Sequence, residues 1–246
     1  MYIHLRKDWP KFQWDYEQIA ALLSEVSNLQ GRILGQMESL GFELQDEAVL
    51  ETVALEIIKN HEIEGELLNN SQVKSSIARK LGLDFESDVE PSRYVDGVVE
   101  MMLDATQNYK EPLSADRLFD WHGALFPTGR SGMHKITVAD WRKEGLGPMQ
   151  VVSGAMGKER VHFEAPSSER MEEEMKAFLD WFNAEMKLNS ILKAAIAHLW
   201  FITIHPFDDG NGRIARAITD MLLTRSDGVA QRFYSMSAQI RKERKG

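Results

Sequence analysis

The chain has 246 residues, 43% of them apolar, enough to fill one large core or two modest ones. Its net charge of −9 argues against a general nucleic-acid binder, which needs a dominant basic face. With no cysteine, disulfides and thiolate metal sites are excluded, and the opening "MYIHLRKDWPKF" has no apolar signal-peptide run, so the expectation is a cytoplasmic protein.

In chain order, apolar periodicity and capping residues predict helices over about 15–40, 46–64, 71–81, 93–109, 114–125, 168–187, 191–204 and 211–225. Gly41, Gly65, Gly82 and Gly228 stand just beyond helix ends, where C-caps favour glycine. In the second helix the apolar stripe Leu50, Val53, Ala54, Ile57 and Ile58 extends by helical spacing to His61 and then Glu64. A carboxylate on a core face, at the helix end where the dipole disfavours negative charge, needs a cation. A structural salt bridge with a surface arginine would meet that need as well as a functional one.

Acidic and turn-forming residues break the helical pattern at 81–94. The chain is therefore divided into a helical N-terminal region, 1–90, and a larger core, 91–246. The exception to helix is 147–166, where short runs at 149–152 and 160–164 flank a glycine-bearing loop with prolines at both ends, the pattern of a β-hairpin. Val161 and Phe163 alternate with Arg160 and His162, so one face can pack while the other stays wet. By itself this could be no more than a surface hairpin. The apolar run 194–204 is about half a membrane span and contains His198, so it reads as a buried helix with a core histidine, not as a membrane segment. The chain stops in a basic, uncapped fragment, "QIRKERKG", which reads either as a solvated helix end or as a truncated one.

Directly after the apolar helix comes "HPFDDGNGRIAR", residues 205–216. Pro206 takes His205 out of helical geometry, leaving an imidazole able to accept a proton near neutral pH. Gly210 and Gly212 let the backbone approach an anion at the positive end of the next helix. Asn211 adds an amide donor, and Asp209 is a hard oxygen ligand placed where the Mg²⁺ of a nucleotide would need one. Arg213 and Arg216, three apart, share one helix face and suit a polyphosphate. No Gly-x-x-x-x-Gly-Lys-Ser/Thr loop competes for the nucleotide. His61, His122, His134, His162 and His198 fall in no zinc-ligand spacing.

Residues 205–216 match the Fic signature, His-Pro-Phe-x-Asp/Glu-Gly-Asn-Gly-Arg-x-x-Arg, at every specified position, and the chain resembles that family over about 95–235. The resemblance implies a mainly α fold, a Fic-type helical core with a β-hairpin flap, preceded by the helical N-terminal region. It implies transfer of AMP from ATP, with Mg²⁺, to a Ser, Thr or Tyr hydroxyl of a protein target. His205 would be the base, Asp209 the Mg²⁺ ligand, and Asn211 with the glycine amides the α-phosphate site. Arg213 and Arg216 would bind the outer phosphates, and Val151, Val152, Val161 and Phe163 would face the target from the flap. A related subgroup with lysine in place of Gly210 is similar to protein kinases in activity.

"NHEIEGE", residues 60–66, resembles the inhibitory helix of Fic proteins regulated from their N-terminal side, Ser/Thr-x-x-x-Glu-Gly (class II). That likeness implies that Glu64 pairs with Arg216 and blocks productive ATP binding. Asn60 stands where Ser or Thr is usual, which leaves the strength of inhibition open. Two alternatives remain: the reverse reaction, with Glu64 orienting a water that removes AMP, and a non-catalytic nucleotide- or protein-binding module. Neither nucleic acid nor membrane is expected as a partner, and self-modification and a homodimer are compatible with the reading.

Overall fold

The computed structural model describes residues 1–246 except 87, 144, 146, 154–159 and 244–246. Among the described residues the fold is mainly helical. Its α-helices are α1 (Tyr16–Glu38), α2 (Phe42–Ile63), α3 (Asn70–Leu81), α4 (Arg93–Gln107), α5 (Ala115–Leu125), α6 (Met171–Asn183), α7 (Ser190–Ile204), α8 (Asn211–Asp227) and α9 (Met236–Glu243). Two antiparallel two-stranded ribbons interrupt them, β1 (Arg130–Ser131) with β2 (His134–Lys135), and β3 (Gln150–Ser153) with β4 (Arg160–Glu164). None of the described helices is long and apolar enough to cross a membrane.

Side-chain caps explain most helix starts. Asp15, Asn69, Ser92, Ser114 and Asn189 each accept from a backbone N–H of the first turn. Gly82 and Gly228 close their helices in left-handed geometry, as expected. Gly41 does not: it is extended (φ −67°) and is the N-cap of α2, which starts four residues before the expected 46. The sixth helix is shorter than the expected 168–187, opening in a 3-10 turn at Ser168–Arg170 and ending at Asn183. Asn183 is drawn off by Leu113, accepting from its N–H at 2.9 Å and donating to its carbonyl at 2.8 Å. The C-terminal helix, Met236–Glu243, begins ahead of the fragment expected at 239, and residues 244–246 lie outside the described ones.

The core is centred on the antiparallel pair α7 and α8. Phe178 and Phe182 from α6, Phe201 from α7, and Ile214, Ile218 and Met221 from α8 are all fully buried. α4 and α5 pack from one side, with Gly97 allowing α4 against the Ala124 backbone so closely that any side chain there would collide. From the other side α2 lies against α4 and α8 through Val53, Ile57 and its neighbours. α9 is seated on α2 by Glu56, whose carboxylate accepts from Ser235 Oγ (2.7 Å) and the Ser237 N–H (3.0 Å). This packing brings the end of α2 to the start of α8.

Candidate active site

The α7–α8 loop follows from local chemistry. α7 ends when His205 enters the left-handed region (φ 54°, ψ 61°), its N–H still donating to Phe201 O at 3.0 Å. The His205 ring Nδ1 lies 3.2 Å from Ile202 O. A carbonyl can only accept, so Nδ1 carries the hydrogen and Nε2 keeps its lone pair. Burial is the main reason the imidazole is held below its ordinary 6.5, with Arg142 acting in the same direction and Asp209 and Glu64 opposing. The ring is therefore neutral at pH 7.

Phe207 anchors the loop. It is fully buried and stacks on His122, ring centroids 4.2 Å apart and 12° from parallel. Removing such a ring costs about 3–5 kcal/mol in a packed core. Asn211 closes the loop by donating to Phe207 O (2.8 Å) and accepting from Phe207 N (3.0 Å), so its amide shapes the loop from within. His122 Nδ1 accepts from the Ala139 N–H at 3.2 Å, which leaves Nε2–H to donate to Asp209 O at 3.2 Å. Burial pushes this imidazole down to about 4, so it stays a neutral strut.

Gly210 (φ 84°) opens α8, and a Cβ there would press to 2.9 Å of the Phe126 ring. Two residues further on, a Cβ on Gly212 would overlap the Glu64 carboxylate. That carboxylate accepts from Arg216 Nη2 at 2.6 Å. Arg216 also donates from Nε to Asn60 Oδ1 (2.6 Å) and from Nη2 to Asn60 O (3.0 Å). Asn60 thus holds the arginine directly, with side chain and backbone both accepting from it. Arg213 donates to both oxygens of Glu66 at 3.0 Å and lies over the Phe126 ring at 5.0 Å. Both guanidinium groups are nearly inaccessible, with side chains 3% and 6% exposed.

Two acids reach α8 because α2 ends in a Schellman cap. Gly65 is left-handed (φ 82°), Gly65 N donates to Glu62 O and Glu66 N donates to His61 O. The turn carries Glu64 and Glu66 to the same helix end. Asp209 accepts from Ser131 Oγ (2.5 Å) and from Gly210 N (2.6 Å), with Arg213 at 3.5 Å.

The expected hairpin is present as β3–β4, pairing Gln150 with Glu164, Val151 with Phe163, Val152 with Val161 and Ser153 with Arg160, with a bulge between Val151 and Val152. Its expected glycine-bearing loop, 154–159, lies outside the described residues. Val151, Val152 and Val161 are 41–46% exposed. Phe163 is not open to a partner: Tyr2 and His4 of the N-terminal segment pack edge-on against its ring at 5.4 and 5.7 Å. Glu66, Tyr94 (which donates to Glu66 at 2.5 Å), His122, Ser131 and Arg142 complete the site; of these the sequence had drawn notice only to His122, and only as a histidine in no zinc-ligand spacing. Only Glu66 had a visible signal, as the second acid of Glu64-Gly65-Glu66.

The Fic/DOC family model matches residues 112–223, and the model of a domain of unknown function, DUF4172, matches residues 2–83. The two matched stretches follow one another along the chain, and the Fic/DOC match includes residues 205–216. The chain is similar to protein adenylyltransferase fic-1 of Caenorhabditis elegans, 41% identical over 66 residues, 26% of this chain and 13% of that protein. It is also similar to the uridine 5'-monophosphate transferase of Xanthomonas campestris pv. campestris, 31% identical over 121 residues, 46% of this chain and 21% of that protein. The chain thus spans about a fifth or less of these two relatives. Among solved structures, a Fic domain containing signaling protein from Bacteroides thetaiotaomicron aligns with TM-score 0.59 at 23% identity, covering 81% of this chain and 72% of that one. Fic-1 (aa134–508) from Caenorhabditis elegans aligns with TM-score 0.54 at 21% identity, covering 86% and 60%. These likenesses show the fold.

Proposed function

We propose that the protein transfers AMP from ATP to a Ser, Thr or Tyr hydroxyl of a protein target, and that Glu64 holds this activity off. The observation that carries the reading is the Glu64 carboxylate itself, an anion seated over Gly212 at the α8 N-terminus and paired to Arg216. A position that accepts a carboxylate in this way is suited to a phosphate. Adenylyl transfer is favoured over uridylyl transfer because the adenylyltransferase relative is the more similar over its shared stretch, 41% against 31%. The division of the chain near residue 90 belongs to the same proposal, with the inhibitory acids before it and the rest of the site after it.

In this reading a target hydroxyl oxygen attacks the α-phosphorus of ATP. The bond from that phosphorus to the oxygen bridging to the β-phosphate breaks, and pyrophosphate leaves with the electron pair. The hydroxyl proton passes to His205 Nε2, which the Nδ1–Ile202 contact leaves as the accepting atom. Amides of the α8 N-terminus and the two arginines bind the phosphates and stabilise charge as it moves to the leaving group. Asp209 would hold Mg²⁺. Among the described residues no three acids or histidines cluster as a self-sufficient metal site, so the ion would take most of its ligands from phosphate and water, as Mg²⁺ with nucleotides commonly does. When bound, the ion neutralises phosphate charge.

A second reading, hydrolytic removal of AMP from a modified protein, is favoured by the same glutamate. Glu64 is one of the charges that opposes the effect of burial on His205, and in this reading the acid and the base would orient a water together. Incubating the Glu64→Gly protein with Mg²⁺ and each nucleoside triphosphate labelled at the α-phosphate, alone and with lysate, tests the choice. Covalent label from ATP on protein is expected; label from UTP alone, or from none, contradicts the proposal.

A further inference from the structure

Arg142 is buried, and its nearest partners are all backbone. Its Nε donates to His205 O at 2.7 Å, and its own N–H donates to Pro206 O at 2.8 Å. Its Nη2 donates to Pro166 O at 2.5 Å and reaches Ile204 O at 3.5 Å. Among the described residues no carboxylate lies in ion-pairing range of it. Asp208 offsets the burial of this guanidinium only from beyond ion-pairing range, and the rigid fork of donors is what recommends arginine where several carbonyls converge.

Those carbonyls belong to two elements. Three are consecutive, 204 to 206, and span the one residue whose left-handed backbone aims the imidazole. A non-glycine residue in that region persists only when its surroundings over-determine it. The fourth, Pro166, lies two residues past the end of β4.

We propose that Arg142 is a positioning residue for the transfer: it locks the His205 backbone in its left-handed turn and ties it to the foot of the β3–β4 hairpin, so that base and target strand keep a fixed separation. This rests on the reading of His205 as the base. The guanidinium also places a fixed positive charge beside the imidazole, where Asp209 and Glu64 are the opposing charges and Ile202 O the hydrogen-bond partner.

The test compares Arg142→Gln and Arg142→Lys in a Glu64→Gly background with that background itself. Calorimetry with ATP and Mg²⁺ should give affinities within about 2-fold, since Arg142 makes no bond to Gly212, Arg213 or Arg216. Turnover of label onto protein should fall about 10²-fold in the Gln variant at unchanged KM for ATP, the scale expected when a reacting group is misplaced by about 1 Å. NMR titration of the His205 imidazole should move upward in the Gln variant and return in the Lys variant, which keeps the charge; the Lys variant should not regain turnover, because an ammonium cannot span the carbonyls. A folded Gln variant with undiminished turnover and an unmoved His205 titration overturns the proposal, and so does a parallel loss of ATP affinity and turnover. If the Glu64→Gly parent itself transfers nothing, the transferase reading fails, while the NMR titration still decides whether Arg142 governs His205.

Discussion

At the scale of single residues, His205 makes the sharpest demand on the account. It sits where a helix, a proline and a buried arginine meet, with one ring nitrogen committed to Ile202 O and the other left with its lone pair. His205→Ala should therefore bind ATP as before and lose about 10²–10⁴-fold in transfer, the usual cost of removing a general base. Because burial holds this imidazole below 6.5, the acid limb of the rate profile should lie below that value and mark loss of the neutral form as pH falls. Calorimetry and rate measurements on the same variant check both parts, and transfer at the unmutated rate would remove His205 from the mechanism. Asn211 teaches a different lesson. The motif presents it as a donor to phosphate, yet its oxygen and one N–H are engaged by Phe207, so its evident work is to hold the loop's shape.

At the scale of elements, α2 and the hairpin carry the predictions. Helical spacing made Glu64 legible, because the α2 stripe that buries Val53 and Ile57 continues to it, whereas Asn60 was legible only from the likeness of 60–66 to an inhibitory helix. Glu66 was not, because it lies beyond the helix, and only the Schellman turn at Gly65 returns it to α8. Glu66 occupies Arg213 as Glu64 occupies Arg216, so both arginines meet an acid from one turn. Glu66→Gln should tighten ATP binding in the Glu64→Gly background, read by calorimetry; unchanged affinity would make the Glu66 pair purely structural. The hairpin was legible from its alternation, whereas the cover on Phe163 was not, since Tyr2 and His4 come from the far end of the chain. The β1–β2 ribbon escaped notice because two-residue strands have no alternation to read. Val161→Pro should distort β4 and reduce modification of a protein target far more than nucleotide binding. Equal loss of both would make the hairpin a structural part of the nucleotide site.

At the scale of the whole molecule, buried imidazoles tie stability to pH. His61, His122 and His198 are each lowered to about 4, chiefly by burial. Below about 6.5 the unfolded chain takes up protons that the folded one refuses, so stability present at neutral pH drains away as pH falls toward 4. Thermal melts between pH 7 and pH 4.5 should show a falling Tm, and His198→Gln should flatten that slope; a pH-independent Tm would contradict the buried neutral histidines. The N-terminal region meets the stretch matched by the Fic/DOC model at more than one place: Trp9 donates to Glu174 at 2.9 Å, Tyr2 and His4 cover Phe163, and α2 delivers two acids to α8. The central claim is that one of those acids restrains nucleotidyl transfer. Its most direct test is covalent incorporation of label from α-phosphate-labelled ATP with Mg²⁺, compared for the unmutated protein, Glu64→Gly and Glu64→Gly with Arg216→Ala. The account predicts a rise of about 10-fold or more on releasing Glu64, within the usual range of coupling between sites, and loss of that gain when Arg216 is also removed. A Glu64→Gly protein that folds, binds ATP and labels its target no faster than the unmutated chain would contradict it.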